Sequence, residues 1–390
     1  MGNSRNASVA FSVGLEMLLY AVIALLSFRV FAHQATITSD IALHSSIIDG
    51  YINGSYYIPH PGLHILTYLV AKVFAAPYSS VVPTLMSVLV IVTMWTTKKT
   101  LMRFLPDIQW KPAFLLAAVS LNFMTAIYVP WFNRDIYLGQ WGPTIWHSPT
   151  MFLLKPFALL SFAGILVYMH QRGRRQFFWG LLVSALLLAS TLAKPAYVIC
   201  LIPALGVYLM TLRFDRVKQG LNGFLILLPS LLLLGYQYIR TFNMQNTASV
   251  FHDRIILTSF GVMKLHTPSV AFSTLLALAF PLSVLLVLNR GVFRNHALRL
   301  SWLLVAVAFL QAAFLAEKIK FSQGGFIWGY VISLFVLHVF TMIEYLSWYG
   351  PGKRHSIHPV TKCWVGMVGM AHLCSGVIYF VNLVRGVSWL

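Results

Sequence analysis

Residues 39–74 read SDIALHSSIIDGYINGSYYIPHPGLHILTYLVAKVF. Two aspartates (Asp40, Asp49), three histidines (His44, His60, His64) and the dipeptide His60-Pro61 follow directly on an apolar run from Ala10 to Ala32. The chain around them is 58% hydrophobic and 9% charged, with nine carboxylates in 390 residues. Two scarce acids set nine residues apart in one segment imply that at least one serves chemistry. The second half of the stretch, from Gly62, is apolar but short and carries Lys72, the pattern of a helix lying in a membrane interface.

Working outward, a mean hydropathy of +0.76 and repeated long apolar runs predict an all-α polytopic membrane protein with no soluble domain. Ala10–Ala32 is too long for a signal-peptide core and reads as a retained span. The net charge of +19 fits basic loops on the inner side of a membrane and excludes nucleic acid as the partner. Cys200, Cys363 and Cys374 all fall in apolar segments, so neither a disulfide framework nor a thiolate metal site is expected.

The basic residues bunch: Lys98, Lys99, Arg103 and Lys111; Arg172, Arg174 and Arg175; Arg213, Arg216 and Lys218; Arg290, Arg294 and Arg299; Lys353, Arg354 and Lys362. Placing every cluster inside, with Arg5, requires an even number of spans between them. Segments 112–129 with 150–170, 177–192 with 195–211, 221–240 with 268–289, and 300–317 with 325–346 supply them, and 363–383 is the last span. With 10–32 and 80–97, and with 62–76 as the interfacial helix, about eleven spans result. Residues 1–390 then form one transmembrane domain, N-terminus cytoplasmic, with outer loops at 33–79, 130–149 and 241–267.

This topology sorts Glu16, Asp107, Asp215 and Glu344 to the inner face, and Asp40, Asp49, Asp135, Asp253 and Glu317 to the outer. On a helix Asp40 and His44 share a face at i,i+4, and Ser39 or Asp40 is alternatively an N-cap. Asp49, followed by Gly50, reads equally as a turn residue. In WFNRDIYLGQWGPTIWHSPT (131–150), Arg134-Asp135 reads as a site or an ion pair, Trp141 and Trp146 as sugar-stacking faces or interface anchors, and His147 as ligand or structural residue. Beside Glu317, Lys318 and Lys320, with Lys194 before Pro195, place cations on the face where orientation rules disfavour them, so either an anion is met there or the lysines snorkel to headgroups.

The order of these features resembles the GT-C superfamily of membrane glycosyltransferases that use polyprenyl-phosphate sugars. One span leads to an aspartate early in the first outer loop, Asp40. An aromatic, Pro-containing stretch follows (YYIPHPGLHILTYLVAKVF), then a second span, VVPTLMSVLVIVTMW, closed by KKTLMRF. The likeness covers about residues 10–105. Two features depart from it: Asp40 stands between Ser39 and Ile41 where an acid pair is common, and no segment corresponds to the C-terminal extracytoplasmic domain of several members. The resemblance implies inverting transfer from a polyprenyl-phosphate-linked sugar donor to an external glycan or glycolipid acceptor at the cell membrane. Asp40 would be general base and Asp135 a second acid. Lys318, Lys320, Arg254 and Lys194 would hold the donor phosphate. His44, Asp49, His60, Trp141, Trp146, His147 and Glu317 would bind sugar or acceptor. Carboxylates with histidines are compatible with a divalent cation, Mg²⁺ or Mn²⁺, but no spacing demands one. Competing readings are a polysaccharide polymerase or ligase, a lipid-linked sugar transporter or flippase, and a scaffold without catalysis.

Overall fold

In hydrocarbon every backbone polar group must find its partner within the protein, so long apolar runs fold as helices. The computed structural model describes residues 2–108, 111–136, 139–211, 217–243, 254–350 and 357–387. Asp253, Asp215, Arg213, Arg216, Lys353 and Arg354 lie outside the described residues. The described residues are 77% helical. Among the described residues nine helices are long and apolar enough to cross a membrane: α1 (Gly2–Thr36), α5 (Tyr78–Phe104), α7 (Pro149–Tyr168), α8 (Gly173–Ala193), α10 (Val217–Tyr238), α12 (Val270–Leu288), α13 (His296–Phe314), α14 (Ile327–Ser347) and α15 (Pro359–Val384). The α14 helix is the hub, buried along nearly its whole length and packed on α12 and α13.

Where spans are expected at 112–129 and 195–211, the structure holds shorter apolar helices, α6 (Pro112–Phe123) and α9 (Ala196–Met210). Beyond Phe123 the chain runs on without helix, and its backbone is satisfied by neighbours. His372 Nδ1 donates to the Thr125 carbonyl at 2.7 Å, the Ile127 N–H reaches the Leu276 carbonyl at 3.2 Å, and the Tyr128 N–H meets Ser375 Oγ at 2.9 Å. His372 Nε2 accepts the N–H of Phe280 at 3.2 Å, which fixes a neutral tautomer. This crossing needs Gly376: a Cβ there would lie 1.7 Å from the Phe123 carbonyl oxygen. His338 is likewise interior, its Nδ1 donating to the Leu334 carbonyl at 2.8 Å. Two histidines therefore lie in the interior of α14 and α15, away from the helix ends.

The helix expected in the first loop forms as α4 (Gly62–Phe74), ending at left-handed Ala75. Leu63, His64, Thr67 and Ala71 face the bundle, while Leu69, Val73 and Phe74 are exposed and apolar. Two short helices precede it, α2 (Asp40–Ser46) and α3 (Ile48–Ile52). The π-turn Ile239–Asn243 ends α10, and α11 (Gly261–His266) lies before α12. A two-stranded antiparallel ribbon, β1 (Ile255–Leu257) on β2 (Leu315–Glu317), pairs Ile255 with Glu317 and was not expected from sequence.

The helices meet at two polar ends. The C-terminal ends of α5, α7, α12 and α14 and the start of α13 surround one cavity, so Arg103, Arg294 and Glu344 gather there. Lys98, farther up α5, pairs with Glu16 of α1. Asp40, His147, Lys194 and Glu317 gather elsewhere, at what is here termed the Asp40 end.

Candidate active site at the Asp40 end

Ser39, not Asp40, caps α2: its Oγ accepts the Ala42 N–H at 3.2 Å and donates to the Gln34 carbonyl at 2.5 Å. Relieved of capping, the half-buried Asp40 acts electrostatically on His147 and Lys194, which lie far along the sequence. Glu317 is the second acid acting on Lys194.

Lys194-Pro195 sets the centre of the site. A residue before proline is driven out of the helical region, and Lys194 adopts φ −168°, ψ 125°, ending α8. Its ammonium sits 4.1 Å from the Trp328 ring centroid and donates to Thr150 Oγ1 at 3.3 Å. Burial brings the Lys194 pKa down to about 8, against the pull of Asp40 and Glu317. Two opposing acids and an aromatic face keep a desolvated cation in place.

Histidines line the rest. His44, on the same face as Asp40, is hydrogen-bonded through Nδ1 to His64 Nε2 at 2.9 Å. Burial, with His64 and Lys194 beside it, lowers the His44 pKa to about 3, and burial takes His64 to about 4. His60 is held low by burial and then by Lys194, with His44, His64 and Lys320 adding to it. Burial also lowers His147, with Asp40 opposing. All four imidazoles are thus neutral at pH 7, serving as hydrogen-bonding groups with no added positive charge.

Close backbone approach seats α4. A Cβ on Gly62 would stand 2.9 Å from the Leu192 carbonyl oxygen, so only glycine lets α4 lie against the end of α8 beside Lys194. An added Cβ on Gly325 would stand 3.2 Å from the carboxylate oxygens of Glu317, a tight contact with the end of a flexible side chain. The β1–β2 ribbon brings Arg254 to Lys318, whose N–H donates to the Arg254 carbonyl at 2.9 Å. Lys318 and Lys320 are exposed at the rim.

Other expected residues sit elsewhere. Asp49 accepts the Tyr78 hydroxyl at 2.7 Å, fastening α3 to α5. Asp135 is exposed and acts on Tyr128, and the carboxylates acting on His147 and Lys194 are Asp40 and Glu317. Trp141 and Trp146 present no face to a sugar: they are 0% and 1% exposed, and Trp146 packs among Phe31, Phe123, Phe152 and Phe380. The stretch holding them is drawn into the bundle because Gln140, Asn133 and Ser273 bond its backbone: Gln140 Nε2 to the Asn133 carbonyl at 2.7 Å, and Ser273 Oγ to the Gly139 carbonyl at 2.7 Å. Trp131, 87% exposed, is the interfacial anchor.

Four further residues contribute. His64 is the partner of His44. Arg240, on the π-turn, lies 5.0 Å from the Tyr57 ring. Thr150 and Trp328 hold Lys194. Arg240 carried a sequence signal, a cation at the outer end of a span. The hydroxyl of Thr150 and the ring of Trp328 carried none. Lys155, 2% exposed, donates to Thr144 Oγ1 at 3.1 Å with the Phe335 ring 4.8 Å away, supporting the segment that carries His147. Among the described residues no cluster of three or more His, Cys, Asp or Glu has the arrangement of a metal site. Compared with known proteins, the chain matches no family model and no curated sequence.

Proposed function

We propose that this chain is an integral-membrane glycosyltransferase that moves a sugar from a polyprenyl-phosphate donor onto a glycan or glycolipid acceptor at the outer face of the cell membrane. The observation that carries the reading is that Asp40 lies within electrostatic reach of Lys194, an acid and a desolvated cation brought to one end of the bundle from α2 and the α8–α9 break. On this reading the Asp40 end faces outward. Eleven crossings are reached when α6 and the stretch after it, with α9, are counted.

Asp40 takes the proton of the acceptor hydroxyl as its oxygen attacks the anomeric carbon. The bond from that carbon to the phosphate oxygen breaks on the opposite face, which inverts the configuration. The leaving phosphate gains charge, and Lys194 stands ready to compensate it, with Lys318, Lys320 and Arg254 at the rim. Neutral His44, His60 and His147 exchange hydrogen bonds with sugar hydroxyls, and Glu317 adds to the negative field at Lys194. The apolar, exposed face of α4 gives the polyprenyl tail a path along the bilayer.

The test is a glycan profile of the cell envelope from a strain lacking the protein, complemented with wild type or Asp40→Asn. Loss of one sugar in the empty strain, restored by wild type but not by Asp40→Asn, is the expected result. Restoration by Asp40→Asn removes Asp40 from the chemistry.

A further inference from the structure

A cavity of about 980 Å³ opens at the end of the bundle bearing Arg103 and Arg294, away from Lys194. Its size lies at the upper edge of small-molecule sites, roughly 300–1,000 Å³. Arg103, Arg294, His170 and His296 line it together with Asp107 and Glu344, two of the nine acids of the chain. A solvated basic face would account for the arginines. It does not account for Glu344, placed on α14, the most buried helix of the bundle.

Opposite charges in one cavity pair unless something holds them apart. Glu344 is held: Asn295 Nδ2 donates to its Oε2 at 2.8 Å and Trp348 Nε1 to its Oε1 at 3.3 Å. Asn295 is itself pinned, since its Oδ1 accepts the N–H groups of Ala297 and Leu298 at the start of α13. Both donors are neutral, so neither of them is a counter-charge to the carboxylate. On the same lining, Arg103 and Arg294 are exposed, and among the described residues neither has a hydrogen bond or ion pair. His170 gives its Nδ1 proton to the Leu166 carbonyl at 2.7 Å. His296 Nδ1 accepts from Arg299 at 3.2 Å and from the Tyr208 hydroxyl at 2.7 Å, which puts its proton on Nε2. The cavity lining thus carries two guanidiniums that have no ion pair among the described residues, together with Asp107 and a carboxylate oriented by neutral donors.

We propose that this cavity is a second binding site, taking a phosphate ester that also carries a hydroxyl or ammonium group. The phosphate meets Arg103 and Arg294, whose planar forks match it, and the donor group meets Glu344 beside the Trp348 ring. A soluble phosphate ester and the headgroup of a phospholipid entering from the adjoining leaflet share this chemistry. The site is independent of the glycosyl-transfer reading and stands or falls without it.

The experiment uses the full chain, as wild type, Arg294→Gln, Glu344→Gln and, as control for general positive charge, Arg175→Gln. Arg175 is exposed and outside the cavity lining. Calorimetric titration with phosphoethanolamine in detergent reads the soluble arm. Native mass spectrometry of protein released from phosphatidylethanolamine nanodiscs reads the lipid arm. Loss of one charged contact weakens binding by about tenfold or more. Saturable binding in either arm, weakened so in Arg294→Gln and Glu344→Gln but not in Arg175→Gln, supports the proposal and names the source. No binding in both arms, or an equal loss in Arg175→Gln, overturns it. The thermal midpoint of each variant without ligand, expected to match wild type for the exposed Arg294, separates lost binding from lost fold.

Discussion

Replacing Gly62 by alanine tests the geometry that closes the Asp40 end. The new Cβ would lie 2.9 Å from the Leu192 carbonyl oxygen, 3.0 Å from its carbon and 3.2 Å from the Ala193 nitrogen. All three are backbone atoms, so no rotamer change relieves the contact, and α4 must lift from the end of α8 by about half an ångström to reach ordinary packing distance near 3.5 Å. Overpacking of this kind costs about 1–3 kcal/mol. Gly206 of α9 has nothing within 4 Å of the corresponding point, so Gly206→Ala meets no such clash. It gains the usual advantage of alanine inside a helix, about 0.5–1 kcal/mol. The two substitutions therefore carry opposite signs. Thermal unfolding of the purified chain in detergent is expected to show a lower midpoint for Gly62→Ala and an equal or higher one for Gly206→Ala. A Gly62→Ala midpoint at or above wild type would refute the close contact of α4 with α8.

Gly376→Ala is expected to be more damaging still, because its Cβ would meet the Phe123 carbonyl where α15 covers the chain after α6; loss of folded yield on size-exclusion chromatography reads it. Trp146→Phe, keeping a ring among four others, is expected to hold both the unfolding midpoint and acceptor affinity, whereas Trp146→Ala costs about 3–5 kcal/mol; acceptor affinity lost in the phenylalanine variant would restore Trp146 to the sugar site. Lys194 must be protonated to hold a phosphate, so donor affinity is expected to fall as pH rises through about 8, and Lys194→Arg to flatten that fall. Stability runs the other way: between pH 8 and the unfolded lysine value near 10.5 the unfolded chain binds more protons, so the Lys194 term raises stability with pH, an effect Lys194→Met removes from the unfolding midpoint. Below the ordinary histidine value of 6.5 the lowered His44 and His64 leave the unfolded chain with more protons, so stability is expected to fall with acid down to about pH 4, less steeply in His44→Gln.

Much of this architecture was readable from residue order. Helix α4 was legible because a short apolar run behind His60-Pro61 and ahead of Ala75-Ala76-Pro77 cannot cross a bilayer. Lys194 was legible because the residue before proline leaves the helix, and a cation at that point contradicts the orientation of its neighbours. The joining of Asp40 to Lys194 was suggested by shared sidedness alone. The fate of residues 139–148 was not legible: a segment rich in Trp, Gly and Pro reads as interface, and its burial rests on Asn133 and, from distant α12, Ser273 donating to the Gly139 carbonyl, with Gln140 bonding the backbone of Val129 and Asn133. For the same reason α6 stops at Phe123, short of the expected 129. No residue within 112–129 breaks the helix, and the groups that take over its backbone, His372 and Ser375, lie on α15. A three-residue ribbon such as β1–β2 leaves no alternating pattern long enough to read.

The most direct measurement is labelling of intact cells with a membrane-impermeant maleimide, in a cysteine-free background carrying Leu43→Cys or Arg174→Cys. Leu43 is 56% exposed on the α2 turn that carries Asp40, and Arg174 is exposed in one of the basic clusters. The account predicts labelling at position 43 in intact cells, and at position 174 only after the membrane is opened. Labelling of 174 but not 43 from outside would put Asp40 and Lys194 on the wrong side of the membrane and contradict it.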